Sequence, residues 1–390
     1  MISDRLRAFR SFAEIAMASV GAALIAAAAA ANQTWFDDHF LPSYWMPREQ
    51  VVRNELFVRI GVAVLGAAIV LLARTVARLL AREPLYLFTI SLAVVLAFGA
   101  SELVLRRRHP RAPEEYSSAS EPRSHLDARI GWLFDVSRTG SVTHLGRRIT
   151  YTFDRNGYRV ASAAATTELD APTIVFAGES IMVGHKLAWA ETIAAQTSAL
   201  LGLQSANIAV SGFATDQAYL RLTTELPRFR NPVAVVLLFA PSIFDRNLDD
   251  DRPHLGPGLV WLPPVRHWRL TTLARRLIGY RSENAIEREL AITREVLTAT
   301  VRLARSRGAV PLIVVPQFEP EERQERELRR RIVEEAHLPY VYVPLDPDDR
   351  IENDGHPDAD GAREIAESIA EALEPALEAR AQLPLTNESH

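Results

Sequence analysis

The chain has 390 residues, with 44 Lys and Arg against 48 Asp and Glu and a formal net charge of −4. This near-balance gives no sign of nucleic-acid binding. The absence of cysteine excludes disulfides, thiolate metal sites and a cysteine nucleophile.

Apolar residues are concentrated in the first 105 positions. Residues 12–32 are almost all apolar and follow Arg5, Arg7 and Arg10. A run of about 20 such residues can cross a bilayer. An uncleaved transmembrane helix is the expectation; a cleaved signal peptide ending before Asn32-Gln33 is the alternative. Trp35, Phe36, Tyr44 and Trp45 then resemble an interfacial aromatic belt. A second apolar run spans 55–73 and contains Arg59, which could snorkel from the helix end. A third spans 85–105 and stops at Arg106, Arg107 and Arg108. Arginines flank both sides, so the positive-inside rule does not orient the region. Parity does: three spans from an inside start put the rest of the chain outside. The expectation is a multi-pass membrane region over 1–108 in the cytoplasmic membrane, with the remainder extracytoplasmic.

Residues 109–124, rich in Pro, Ser, Glu and Arg, predict a linker. Short alternating runs and the Asn156-Gly157 turn signal predict a small β element over 125–165. From 166 to 376, strand patterns at 173–177, 206–210, 233–240, 310–315 and 340–345 alternate with helical patterns near 187–201, 215–226, 283–307, 321–336 and 360–374. That alternation predicts a parallel sheet with helices on both faces. The Pro-rich stretch 241–282, with Trp261 and Trp268, is too long for a plain connection. It predicts either a lid or binding wall, or an excursion packed on the sheet. Residues 377–390 read as a frayed tail. No P-loop, dinucleotide fingerprint or metal-spaced His cluster appears, so neither cofactor nor metal is expected.

Four strand-end positions carry polar chemistry on one edge of the predicted sheet. Ser180 follows the first strand in Gly178-Glu179-Ser180, where open α/β sheets put their sites. Gly212 follows the second, in Asn207-Ile-Ala-Val-Ser211-Gly212, and can bring a backbone N–H close to a ligand. Ser242 follows the third. Asp354-Gly355-His356-Pro357 precedes the last helix. Each has a bland alternative as a helix cap, a turn glycine or a loop acid. Together they match a chemical need. A serine hydroxyl requires a base, histidine can take and return the proton, and an acid orients the ring. Convergent N–H donors hold the oxyanion.

In the order and content of these blocks the chain resembles the SGNH, or GDSL, hydrolase family. Gly178-Glu179-Ser180-Ile-Met-Val-Gly184 is similar to its Gly-Asp-Ser-x-x-x-Gly, and Asp354-Gly355-His356-Pro357 to its C-terminal Asp/His block. Gly131-Trp132 and Tyr151-Thr152 through Arg159 resemble elements of a membrane-anchored branch. The resemblance implies a three-layer α/β/α sandwich with a mostly parallel five-stranded, flavodoxin-like sheet and a metal-free serine esterase. It implies Ser180 as nucleophile, His356 as base, and the Ser180 and Gly212 N–H groups as oxyanion donors. Three positions depart from the pattern. Glu179 replaces Asp, Ser242 replaces the Asn that gives the third donor, and Asn353 stands three before His356 where many relatives have the acid. Asp354 is the leading orienting acid; Asp346, Asp348 and Asp349 are weaker candidates. The expected partners are an acyl-ester substrate, such as an O-acetyl on an envelope polysaccharide, and the bilayer. A degenerate glycan- or partner-binding module and an O-acyltransferase subunit remain alternatives. The oligomeric state has no sequence signal.

Overall fold

The computed structural model describes residues 2–42, 47–83, 85–108, 111–318, 320–352 and 354–382. They form two compact units, Met1–Pro110 with Arg266–Ile286, and Arg111–Val265 with Glu287–His390.

In the first unit, the helices Ile2–Ala30, Arg48–Arg82 and Leu85–Arg108 are long and apolar enough to cross a membrane. The first two touch backbone to backbone: a Cβ on Gly21 would stand 2.6 Å from the Gly66 carbonyl oxygen, and one on Gly66 2.6 Å from that of Gly21. Small residues permit this approach where apolar packing is the main attraction. Arg59 does not reach outward. Its Nε donates to the Ala28 carbonyl (2.8 Å) and its Nη1 to buried Glu55 (3.1 Å). Asn32 caps a short helix, Gln33–His39, that presents Trp35 and Phe36. Tyr44 and Trp45, expected in the same aromatic belt, lie outside the described residues.

Part of the long 241–282 stretch belongs to this unit. Its helix Arg269–Ile278 starts on the Glu102 carboxylate, which accepts from the Arg269 and Leu270 N–H groups (3.0 and 3.2 Å). The strand Tyr280–Ser282 pairs antiparallel with Phe40–Pro42. Tyr280 donates to Asp37 (2.8 Å), accepts from Arg48 (3.1 Å) and stacks on Phe36 (5.0 Å). The chain thus leaves the second unit after Val265 and re-enters it at Glu287.

The second unit is built on a parallel sheet of β1 Thr173–Ala177, β2 Gln204–Asn207, β3 Pro232–Leu238, β4 Val310–Gln317 and β5 Tyr340–Pro344. The order is β5-β4-β3-β1-β2. β1 and β3 are buried at every position, as continuous apolar strands covered on both faces should be. This is the flavodoxin-like order, whose switch point lies between β1 and β3. The helix Ile193–Leu201 starts later than the pattern suggested, because a separate turn, Ser180–Val183, and a 3₁₀ turn, Trp189–Glu191, precede it. The last helix, Ala359–Gln382, continues through Pro375 into the expected tail. There Arg380 Nη1 donates to the Pro232 and Val233 carbonyls (3.0 and 3.1 Å) at the start of β3.

The small β element comprises two hairpins, Ser124–Asp127 with Gly131–Phe134 and Arg138–His144 with Arg147–Phe153. Single bridges Phe153–Arg159 and Arg159–Asn207 carry the second hairpin onto the β2 edge, which would otherwise offer unpaired backbone groups. The predicted linker is partly ordered. Ala112–Tyr116 is a helical turn, and Tyr116 stacks on buried Trp132 (4.8 Å).

The Glu102 cap gives a direct test. Losing a helix N-terminal acceptor costs about 1 kcal/mol. Glu102→Ala should therefore raise amide exchange across 269–278 by roughly fivefold, read by hydrogen–deuterium exchange in detergent. Unchanged exchange would show that packing, not the carboxylate, holds this helix end.

Candidate active site

The Ser180 turn follows directly from β1. Glu179 caps the short helix Ser180–Val183, its Oε1 accepting from the Ile181 N–H (2.9 Å). Gly184 ends it in the left-handed conformation, φ 82°. A Cβ there would meet Thr192 at 2.4 Å, so only glycine fits. So short a helix leaves its carbonyls unsatisfied. Buried Arg159 takes them: Nη1 donates to Val183 and Gly184 (each 2.6 Å) and Nη2 to Leu187 (2.5 Å). Its guanidinium lies 4.4 Å from the Tyr151 ring centroid. Burial pushes its pKa down to about 10, and Tyr151 and Glu191 offset part of that, so it stays charged at neutral pH. Asn207 Nδ2 adds a bond to the Met182 carbonyl (2.8 Å).

Ser180 Oγ stands 2.6 Å from His356 Nε2. His356 Nδ1 bonds to Asp354 Oδ1, the oxygen that also accepts the His356 backbone N–H (3.1 Å). This is an Asx turn, which folds an acid back onto the residue two places on. It explains how Asp354 serves a histidine so close in sequence. Asp346 instead accepts from the Asp348 N–H (2.9 Å), and Asn353 lies outside the described residues. The other Asp354 oxygen receives Lys186 Nζ at 2.5 Å. Burial pushes the Asp354 carboxyl up, but His356 and Lys186 outweigh it and hold the group well below the usual carboxylate range. Lys186 is the only lysine of the chain. Its φ of 58° places it in the left-handed region, and Tyr151 Oη holds its N–H at 2.6 Å.

His185 packs against His356 with ring centroids 4.6 Å apart. Burial and the neighbouring His356 push it down to about 4, so it is neutral at neutral pH. Among the described residues, His185, Asp354 and His356 have ligand atoms within 4.8 Å of one another. The Lys186 ammonium on Asp354 already supplies the positive charge a cation would bring there.

Glu179 is buried, and its Oε2 accepts from the Ser180 N–H (2.6 Å) and from Arg246 Nη1 (3.1 Å), and contacts Ser180 Oγ. Burial pushes its carboxyl up, yet Arg246, His356, the Ser180 hydroxyl and the Ile181 N–H hold it below the ordinary value. The expected Ser180 oxyanion donor is therefore occupied. Gly212, φ 79°, lies under the Tyr116 ring, which a Cβ would meet at 2.3 Å. Its carbonyl accepts from Arg252 (2.8 Å), and its N–H donates to no group among the described residues. Ser242 lies in the helix Pro241–Asn247, with its side chain outside the described residues.

The geometry brings Ser180, His356 and Asp354 together, and adds Lys186, His185, Arg159 and Arg246, none of which sequence reasoning put in the site. Lys186 did carry a signal, as a lone lysine in an arginine-rich chain, six residues after Ser180.

A five-stranded parallel sheet in flavodoxin-like order, with the serine turn after β1 and the Asp-x-His block before the last helix, is the arrangement that the resemblance to the SGNH/GDSL hydrolases implies. No protein-family model and no curated protein matches the chain. Among solved structures, it is similar to a protein assigned to the lipolytic G-D-S-L family from Desulfitobacterium hafniense, at 12% identity over 52% of this chain and 99% of that one, TM-score 0.36. It is similar to an acetyl xylan esterase from Butyrivibrio proteoclasticus, at 12% identity over 55% of this chain and 66% of that one, TM-score 0.35. A GDSL-like lipase from Bacteroides thetaiotaomicron matches at 16% identity over 55% of this chain and 93% of that one, TM-score 0.31.

Because the folded Asp354 carboxyl lies below its ordinary value, the unfolded chain binds more protons than the native one below about pH 4. Asp354 therefore contributes stability above that pH and loses it as pH falls further. Lys186→Met should flatten the fall of Tm between about pH 4 and pH 2. Identical slopes in variant and wild type would show that Lys186 does not hold this carboxylate.

Proposed function

We propose that the protein is a membrane-anchored serine ester hydrolase whose catalytic unit faces the extracytoplasmic side. The observation that carries the reading is the 2.6 Å contact of Ser180 Oγ with His356 Nε2, with Asp354 on the far ring nitrogen. In this reading Ser180 Oγ attacks the acyl carbonyl while His356 Nε2 takes its proton. Asp354, kept ionised by His356 and Lys186, fixes the ring with Nδ1 protonated. The Ser180 and Gly212 N–H groups hold the oxyanion, and Ser242 is a candidate third donor. His356 returns the proton to the departing alcohol. Water then attacks the acyl-enzyme, giving its proton to His356, and the acid and Ser180 are released.

The substrate proposal is an acyl ester on an envelope glycan, such as an O-acetyl group, which matches the membrane anchor. The carboxylate on the Ser180 N–H favours a second reading, a site that binds such a glycan without turnover.

Ser180→Ala should lower hydrolysis of a short-chain aryl ester by about 10³-fold or more and abolish labelling by a fluorophosphonate. Persistent labelling in that variant would overturn the nucleophile assignment. An unlabelled wild type with its fold intact would favour the binding module. Orientation is separately testable because the chain has no cysteine. A cysteine at exposed Leu145 should react with a membrane-impermeant maleimide in intact spheroplasts. Reaction only after permeabilisation would place the unit on the cytoplasmic side.

A further inference from the structure

Glu179 is the buried acid of the site that the triad does not use. Its Oε2 gathers the Ser180 N–H (2.6 Å), the Ser180 hydroxyl and Arg246 Nη1 (3.1 Å). Convergent donors at these distances, beside a nucleophile, are what a tetrahedral oxyanion requires. We propose that Arg246 is an oxyanion donor, replacing the side-chain amide missing at position 242, and that Glu179 Oε2 occupies the oxyanion position until substrate displaces it. This rests on the serine-hydrolase reading above.

Three further observations support it. Arg246 lies one turn after position 242 in the helix Pro241–Asn247. Its side chain reaches from the helix after β3 to the turn after β1, across the switch point where such sheets bind ligands. Glu179 also has a second anchor, Oε1 on the Ile181 N–H (2.9 Å). Oε2 can therefore swing off Ser180 while the cap persists. Finally, Ser180 Oγ carries one hydrogen and faces two acceptors, Glu179 Oε2 and His356 Nε2. Only a hydrogen bond to His356 readies the nucleophile. Displacing the carboxylate frees the Ser180 N–H and directs that hydrogen to His356. Arg246 then exchanges one anion for another and stays paired, and its charge strengthens the bond to the developing oxyanion.

The competing explanation is that Arg246 only neutralises a buried carboxylate. A double-mutant cycle separates the two. Wild type, Glu179→Gln, Arg246→Gln, Arg246→Lys and the Glu179→Gln/Arg246→Gln pair are prepared as full-length protein in detergent, with folding followed by thermal melting. The readouts are kcat and KM on a short-chain aryl ester and the fluorophosphonate labelling rate. In labelling, the Oγ–P bond forms, the P–F bond breaks, fluoride leaves and the serine proton passes to His356. Relative to Glu179→Gln, the double variant should lose about 10²-fold in kcat with KM little changed, and Arg246→Lys should keep part of the activity that Arg246→Gln loses. Glu179→Gln alone should label several-fold faster than wild type. The double variant carries neither charge, so it stays readable even where the single Arg246→Gln protein unfolds. Equal rates for Glu179→Gln and the double variant, with wild type labelled, would overturn the Arg246 assignment alone. A Glu179→Gln protein no faster than wild type would overturn the displacement. An unlabelled wild type would overturn the hydrolase reading and this one with it.

Discussion

The site depends on one buried cation. Arg159 sits against the Tyr151 ring and gathers the Val183, Gly184 and Leu187 carbonyls behind the Ser180 turn. A helix as short as Ser180–Val183 cannot satisfy its own ends, and a buried guanidinium cannot be left unpaired. Each solves the other's problem. The Arg159 backbone also bridges Asn207 on the edge of β2, and the Asn207 side chain holds the Met182 carbonyl. The small β element is therefore structural support for the serine, not an ornament on the domain.

Histidine is delivered by a different device. The Asx turn at Asp354 folds carboxylate and imidazole into one local unit, and Pro357 favours extended backbone at His356. The unit needs only to be placed against the turn. The Ile351 N–H on the His356 carbonyl (3.0 Å) and the Asp358 cap at the start of the last helix do that. Lys186, held in the left-handed conformation by Tyr151 Oη, ties the loop after Ser180 to the same acid. One aromatic residue thus supports both the Arg159 clamp and the Lys186 bridge.

The unit that holds the three long apolar helices also takes in a segment from late in the chain. The segment Arg266–Ile286 leaves the second unit and packs with the long helices of the first unit. The Glu102 carboxylate starts its helix, and its strand pairs with Phe40–Pro42. The two units are therefore joined by the chain at 110–111, 265–266 and 286–287. The sequence showed this stretch only as a Pro- and Trp-rich interruption, because a partner more than 160 residues away leaves no local period.

What the sequence determined by itself was set by local rules. Apolar length marked the three long helices, continuous apolar runs marked β1 and β3, and the blocks around Ser180, Asp354 and His356 named three residues that the fold brings into contact. Boundaries moved where a distant group intervened. The last helix passes Pro375 because Arg380 finds the start of β3, and the helix after Ser180 is delayed because Arg159 fixes a separate turn. Only the tertiary structure decided that Arg59 turns inward, that Lys186 and Arg246 join the site, and that Glu179 covers the Ser180 N–H. The reason is physical: propensity and periodicity are properties of neighbours in sequence. The destination of a charged side chain depends on which unsatisfied donors and acceptors the folded chain brings within about 3 Å of it.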